Sequence, residues 1–444
     1  MIPESSTQAA SVEWCRNISI YLFALFLFQL LSYRWVLGKY VKVLPVVFLI
    51  VLYIFNMSLV VLHGYNIDQT EDTYSSRFLL NDPMITESVT IAITAIIGIF
   101  LGMTFVYVIR GKDFVKTGQY IIRDYSTTSL LLIATIGLVA DLVTNVVVVI
   151  VYGYAGENIE GLPYMNVVRY FSFLLPSAVI AAFVKQSYSK ETKRNILIIF
   201  VAYKFVCMMG GYRGFAMINI LLIFFAYYKL CSPFKIKFYH IVLGLILLQL
   251  GSGLMVGIRE SRHEGVDMSV IVNAMFDLKN SALLSLLSEF GGSLDIVNVV
   301  LAEEGSNSHH GLLGSFLDIV PGISRITGHG NEASMDSVLG LRNLGGNVIA
   351  DMVYGYGKSP IFFTSLMMGL FYAFFFEMFE KALERKNPFI LAFLFPILVD
   401  LIFCARSSIT KMPREIVWYF LLIYFLTALF PRKRYLINNS KELA

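Results

Sequence analysis

The chain has 444 residues, of which 57% are hydrophobic and only 15% charged, and its mean hydropathy is strongly positive at +0.69. That mixture excludes a water-soluble globular enzyme, and a formal net charge of +4 gives no reason to expect a nucleic-acid partner. The apolar residues gather into runs of about 20, the length an α-helix needs, at about 1.5 Å per residue, to cross about 30 Å of hydrocarbon. The runs neither alternate nor are as short as barrel strands, so an all-α, polytopic membrane protein is predicted.

In chain order the spans are expected near 17–33, 43–62, 88–109, 127–152, 165–184, 195–210, 214–230, 239–257, 360–379, 388–404 and 415–430. That is about eleven, within a range of ten to twelve. No Lys or Arg precedes Arg16 and no small-residue cleavage site follows the first run, so the first helix is expected to be retained. Alternate loops carry most of the 35 basic residues. They are Arg34, Lys39 and Lys42; Arg110, Lys112, Lys116 and Arg123; Lys185, Lys190, Lys193 and Arg194; Lys229, Lys235 and Lys237; Lys381, Arg385 and Lys386; and Arg432, Lys433, Arg434 and Lys441. Lys and Arg are retained on the cytoplasmic side during insertion, which predicts an outer N-terminus and a cytoplasmic C-terminus. The opposite face is acidic, with Asp68, Glu71, Asp72 and Asp82 in one loop and Glu157 and Glu160 in another. Of the four cysteines, Cys207 and Cys404 fall in spans, Cys231 on the cytoplasmic side, and Cys15 alone on the outer side, so no disulfide framework is expected.

Three regions follow: an N-terminal bundle of eight spans over 1–257, a large outer loop over 258–359, and a C-terminal bundle of three spans with a cytoplasmic tail over 360–444. An outer loop of roughly a hundred residues is uncommon without structure or function of its own. Within it, Ile271, Met275, Leu278, Ala282 and Leu286 recur at helical spacing, as in a helix lying in the membrane interface. The apolar piece 311–323 (GLLGSFLDIVPGI) is too short to span, and reads either as a cap over a cavity or as ordinary loop packing.

Residues able to carry chemistry concentrate on the outer face. Gly210-Gly211-Tyr212-Arg213-Gly214 is so short a turn that Arg213 must stand at the membrane boundary, where a planar guanidinium suits a phosphate or pyrophosphate, or merely snorkels. Arg259, Glu260, Arg262, His263 and Glu264 crowd the end of the eighth span, either as a phosphate site with Glu264 or His263 moving protons, or as a self-neutralising surface group. Ahead of the ninth span, the stretch 341–357 gathers Arg342, Asn343, Asn347, Asp351, Tyr354 and Tyr356 among four glycines. Asn, Asp and Tyr exchange hydrogen bonds with sugar hydroxyls, and aromatic faces stack on pyranose rings; the alternative is a glycine-rich start to a helix. Glu289 sits beside Gly291 and Gly292. Arg406, Lys411 and Arg414 lie in the last outer loop against the charge trend, which an anionic substrate would explain.

Inside the spans, Asp141, Lys204 and Asp400 need partners or water; they line an ion path or, as the alternative, pair between helices. No phosphate-binding loop, His/Cys metal spacing or Asp-x-Asp pair occurs, so no cofactor or metal is expected.

Three local motifs, Tyr212-Arg213-Gly214, Ser288-Glu289-Phe290-Gly291 and Leu344-Gly345-Gly346-Asn347-Val348-Ile349-Ala350-Asp351 through Gly357, stand in an architecture of ten to fourteen spans with one large outer loop in the second half. In these features the chain resembles the Wzy-type O-antigen, or oligosaccharide repeat-unit, polymerases of bacteria. The family carries a Glu in the glycine-rich segment where this chain has Asp351, one methylene shorter. The resemblance implies a metal-independent glycosyltransferase of the bacterial inner membrane, with a periplasmic N-terminus. It would polymerise undecaprenyl-pyrophosphate-linked repeat units at the periplasmic face, alongside a chain-length regulator. It assigns Arg213, Asp351, Glu289 and Glu264 to catalysis, with Asp351 the first choice of base. Arg213, Arg259, Arg262, Arg342, Arg406 and Arg414 would hold pyrophosphate, and Asn343, Asn347, Tyr354 and Tyr356 would hold sugar. A flippase or transporter of the same lipid-linked glycan, or an O-antigen ligase, are the competing assignments.

Overall fold

The computed structural model describes residues 12–38, 42–65, 84–110, 120–147, 165–209, 213–231, 290–302, 346–428 and 432–437, with isolated positions at 253, 269, 272, 273, 276, 287, 315, 316, 319 and 320. Its helices are α1 (Val12–Leu37), α2 (Val43–Gly64), α3 (Ile85–Arg110), α4 (Thr127–Leu142), α5 (Met165–Ser172), α6 (Leu174–Val184), α7 (Lys190–Met209) and α8 (Arg213–Leu230). They continue with α9 (Ser293–Ala302), α10 (Val348–Tyr356), α11 (Ile361–Glu384), α12 (Pro388–Phe403) and α13 (Met412–Ala428). Among the described residues six helical segments are long and apolar enough to cross a membrane, and Gly214–Leu230 and Pro388–Phe403 are shorter apolar helices. The chain is a polytopic helical membrane protein. Apart from the isolated positions 253, 272, 273 and 276, the predicted eighth span and the amphipathic stretch around Ile271–Leu286 lie outside the described residues.

The broadest helix pairing joins α3 to α11. A Cβ on Gly102 would strike the carbonyl of Leu366, and one on Gly369 the carbonyl of Ile99, so the two backbones approach closer than any larger residue permits. Such close contact is how helices associate in lipid, where burial of apolar surface adds little. At the centre stands α12, started by Asn387, whose side chain accepts from the N–H groups of Phe389 and Ile390, with Pro388 at its first position. Leu391, Leu394, Phe395, Ile397, Leu398 and Leu401 are wholly buried along it. A helix apolar on every side belongs inside a bundle, and α12 packs on α6, α8, α11 and α13.

Contacts sort the helix ends into two sets. At one end, Arg16 Nε donates to the Gly64 carbonyl (3.1 Å), Lys358 pairs with Glu87 (3.0 Å), and the Gly346 N–H donates to the Arg406 carbonyl (3.3 Å). At the other, Lys42 pairs with Glu380 (2.9 Å) and Lys185 Nζ donates to the Tyr125 carbonyl (2.5 Å). That second end also carries the departure from helix seen among the described residues. Strand β1 (Tyr120–Tyr125) pairs antiparallel with β2 (Arg432–Ile437), setting Arg123 opposite Arg434 and Asp124 opposite Lys433. Sequence reading missed it because a six-residue strand offers too few alternations to register, and its partner lies at the far end of the chain. Both strands come from basic segments assigned to one side, and their pairing requires a common side.

Asp141 and Lys204 form a buried ion pair between α4 and α7 at 2.7 Å, with Asn145 Nδ2 donating to the second carboxylate oxygen at 2.7 Å. Of the two sequence readings, pairing between helices is the arrangement present. The wider π turn at Val143–Val147 follows directly and brings Asn145 round to the carboxylate.

Candidate active site

The site is built where the short helix α10 meets the turn between α12 and α13. Asn347 caps α10 by accepting from the Ile349 N–H (2.8 Å), and Gly357, in a positive-φ conformation, ends it just before Pro360 and α11. The Asn347 side-chain amide nitrogen donates to Asn56 Oδ1 and to the Ser293 carbonyl, both at 2.8 Å, while Asn56 Nδ2 donates to the Leu52 carbonyl (2.9 Å). The side-chain amides of Asn347 and Asn56 are thus both engaged in this seam through α2, α9 and α10, as a buried amide network requires. Asn347, expected to meet sugar, is wholly buried with both ends of its amide occupied.

One turn on, Asp351 is 3% exposed. Its carboxylate accepts from Ser408 Oγ (3.1 Å) on one oxygen and from the Ile409 N–H (2.7 Å) on the other. Ser408 is in turn 2.7 Å from Thr410 Oγ1, so a hydroxyl pair leads from the carboxylate into the turn. Backbone bonds run parallel, from the Gly346 N–H to the Arg406 carbonyl and from the Val348 N–H to the Cys404 carbonyl (2.9 Å). Gly346 is obligatory there, because a Cβ would collide with the backbone of Ser407 and Ser408.

Cations ring this junction. The Arg406 guanidinium lies over the Phe290 ring at 5.5 Å, and Lys411 over Phe403 at 6.0 Å. Gly214, the residue after Arg213, is packed against the same Phe403 ring, which brings the backbone of Arg213 to this corner; its side chain lies outside the described set. Arg414, in the first turn of α13, stands near enough to Tyr170 to act on its hydroxyl electrostatically, and its buried Nε has no partner among the described residues. Behind it, Tyr419 donates to the wholly buried Asp400 (3.1 Å), and Glu415, Lys411 and Arg169 stand near enough to act on that carboxyl electrostatically. Ser408, Thr410, Asn56 and Glu415 were not anticipated from sequence. An Asn inside the apolar run of α2 is the signal that could have pointed to Asn56.

Beside the junction lies an apolar cavity of about 560 Å³ between α11 and α13, lined by Phe363, Met367, Phe371, Met412, Ile416 and Ile409, whose backbone serves Asp351. Ser315, Phe316 and Ile319 of the predicted apolar piece also line it, held by a bond from Trp418 Nε1 to the Ile319 carbonyl (3.1 Å). Tyr356 borders the cavity, while the Tyr354 hydroxyl is buried without a partner among the described residues. Arg259, Arg262, Glu264, Glu289, Arg342 and Asn343 lie outside the described residues. Among those described, no three His, Cys, Asp or Glu side chains are grouped to hold a metal ion.

A multi-pass helical membrane protein with a carboxylate, hydroxyls and cations gathered at one end of its bundle, next to an apolar cavity, is equipped for amphiphilic anionic substrates. The sequence model of the O-antigen polysaccharide polymerase Wzy family matches residues 8–439, nearly the whole chain. The chain belongs to that family of membrane enzymes of polysaccharide biosynthesis, which implies glycosyltransferase-type polymerisation of O-antigen repeat units. No curated protein and no solved structure matches the chain.

Proposed function

We propose that the chain transfers a growing glycan from undecaprenyl pyrophosphate to the non-reducing end of a fresh lipid-linked repeat unit, at the periplasmic face of the inner membrane, without a metal ion. The reading rests on one observation above the others: Asp351 and the cationic turn 404–414 meet at the rim of a cavity suited to an isoprenoid chain. The acceptor hydroxyl oxygen forms a bond to the anomeric carbon as that carbon's bond to the pyrophosphate oxygen breaks. The hydroxyl proton passes to a carboxylate, and the pyrophosphate departs on its carrier with the electron pair.

Asp351 is the assigned base, with Ser408 between it and the acceptor, and Glu289 and Glu264 are the alternatives. Arg213, Arg406 and Arg414, together with Arg259, Arg262 and Arg342, neutralise charge growing on the leaving group, the work often given to a metal. Asn343, Tyr354 and Tyr356 contact sugar, while Asn347 acts by holding the start of α10.

Eleven spans, an outer N-terminus and a cytoplasmic C-terminus complete the proposal, with the large loop 258–359 dividing bundles 1–257 and 360–444. The basic residues at the sheet-bearing end support that orientation. The test is deletion of the gene in its native bacterium and electrophoresis of extracted glycan. A single repeat unit on its acceptor, returned to a ladder by the wild-type gene but not by Arg213→Ala or Arg414→Ala at equal expression, is expected. Complete loss of attached glycan would assign flipping or ligation instead, and an unchanged ladder would refute the activity.

A further inference from the structure

Polymerisation joins two lipid-linked substrates, and the bundle has a second apolar cavity. It measures about 430 Å³ and lies between α1 and α2, lined by Leu22, Phe23, Phe26, Ile54, Met57 and Val61. Both cavities sit on helices whose neighbouring faces are open: Phe23 is 64% exposed beside the second, and Phe363 67% beside the first. A tail could therefore reach either one sideways from the bilayer. The two are separated by the polar seam. Met57 and Ser58 of the second cavity adjoin Asn56, which is bonded to Asn347; Asp351, on the same short helix α10, is bonded to Ile409 of the first.

Their rims differ in charge. Met412 and Pro413 of the first cavity are flanked by Lys411 and Arg414. Among the described residues, Arg16 stands near one end of the second, its Nε anchored on the Gly64 carbonyl next to Tyr65, which lines that cavity. A bond-breaking step needs cations at the departing pyrophosphate, whereas a carrier that stays attached needs only to be held.

We propose that the chain holds both isoprenoid carriers at once, the donor's tail in the α11–α13 cavity and the acceptor's in the α1–α2 cavity, with the seam through Asn56, Asn347 and Asp351 between them. This rests on the polymerase reading above. After each transfer the product's carrier occupies the acceptor cavity and must cross to the donor cavity before the next repeat unit is added.

The test uses the full chain in nanodiscs of phosphatidylethanolamine and phosphatidylglycerol, with undecaprenyl pyrophosphate bearing a diazirine on its isoprenoid chain and adducts mapped by mass spectrometry. Adducts are expected on both α11–α13 and α1–α2, each lost on adding unlabelled undecaprenyl pyrophosphate in excess and retained against excess phospholipid. Met367→Trp, filling the first cavity, should remove only the first set, and Ile54→Trp only the second. Each variant should reduce the ladder to a single repeat. Labelling in the wild-type chain needs neither variant to fold. Adducts confined to α11–α13, or α1–α2 adducts displaced by phospholipid, would overturn the two-carrier arrangement while leaving the polymerase reading intact. That reading stands or falls on the gene deletion.

Discussion

Replacing Asp351 by Asn separates a structural latch from a catalytic base. Asn keeps a carbonyl oxygen that can accept from the Ile409 N–H, but loses the charge that strengthens that bond and the one from Ser408. Hydrogen bonds to a charged group contribute about 1.5–3 kcal/mol each, against about 0.5–1.5 kcal/mol for neutral ones, so Asp351→Asn should cost on the order of 1–3 kcal/mol. Asp351→Ala leaves the buried Ile409 N–H unpaired and should cost more than Asn does. The stability ranking is thus wild type, Asn, Ala. Activity should not follow it: removal of a positioned base lowers rate by about 10²–10⁴-fold, so Asn and Ala should be nearly equally inactive. The assay is in vitro extension of a lipid-linked repeat unit at matched protein amounts, beside thermal unfolding in detergent. An Asp351→Asn enzyme within about threefold of wild type would refute the base assignment, since loss of a base is worth far more than that. Equal destabilisation by Asn and Ala would refute the bonding described for the turn.

Asp141→Ala strands the Lys204 ammonium in the bundle and should destabilise by about 3–5 kcal/mol, whereas the paired replacement Asp141→Leu with Lys204→Met should recover most of that loss; unfolding in bicelles reads both. Gly102→Leu should separate α3 from α11 and sharply lower the amount of folded protein, measured by detergent size exclusion, with a far smaller effect from Thr104→Leu on the same helix. Cys231, at the end of α8, donates to the Phe183 carbonyl (3.6 Å), and burial pushes its thiol up from the usual range. On the proposed orientation a membrane-impermeant maleimide should label it in inside-out vesicles and not in intact spheroplasts, and the raised pKa of its thiol makes labelling faster at pH 9 than at pH 7, because the thiolate is the reacting species. Labelling from the outside would reverse the proposed orientation.

Helix positions were legible because a span is a composition over about 20 residues, a signal that single substitutions hardly disturb. The helix observed from Val43 to Gly64 and that from Pro388 to Phe403 match the apolar runs within two residues. The 165–184 run is interrupted at Phe173, and the 127–152 run changes to a π turn at Val143, because local geometry depends on what packs alongside. Asp351 and Arg406 could be picked out as unusual residues near span ends. That Asp351 binds the backbone of Ile409, or that Asn347 is consumed by Asn56, could not, since those partners come from helices far apart in sequence and are set by tertiary packing. Ser408 and Thr410 carry no sequence mark at all: hydroxyls in a polar turn look alike until a carboxylate is placed against one of them.

The position of the junction follows from the central helix. Because α12 is apolar on every side, it is held by its neighbours at a fixed depth, and the turn that follows it inherits that depth. The residues of the turn that cannot be buried, Arg406, Lys411 and Arg414, then emerge together at one end of the bundle. Asp351 is brought to them by α10, whose start is fixed from the opposite side by Asn56 and Ser293. A charged site assembled on helix ends in this way keeps its backbone partners buried while its cations stay at one end of the bundle, and the cavity between α11 and α13 is lined by Met412 and Pro413, which lie between Lys411 and Arg414 in the chain. Moving the turn by even one residue along α12 would rotate Arg406 away from Phe290 and break both backbone bonds to α10. The glycine at 346 and the length of the turn are therefore as much a part of the site as the side chains that touch substrate.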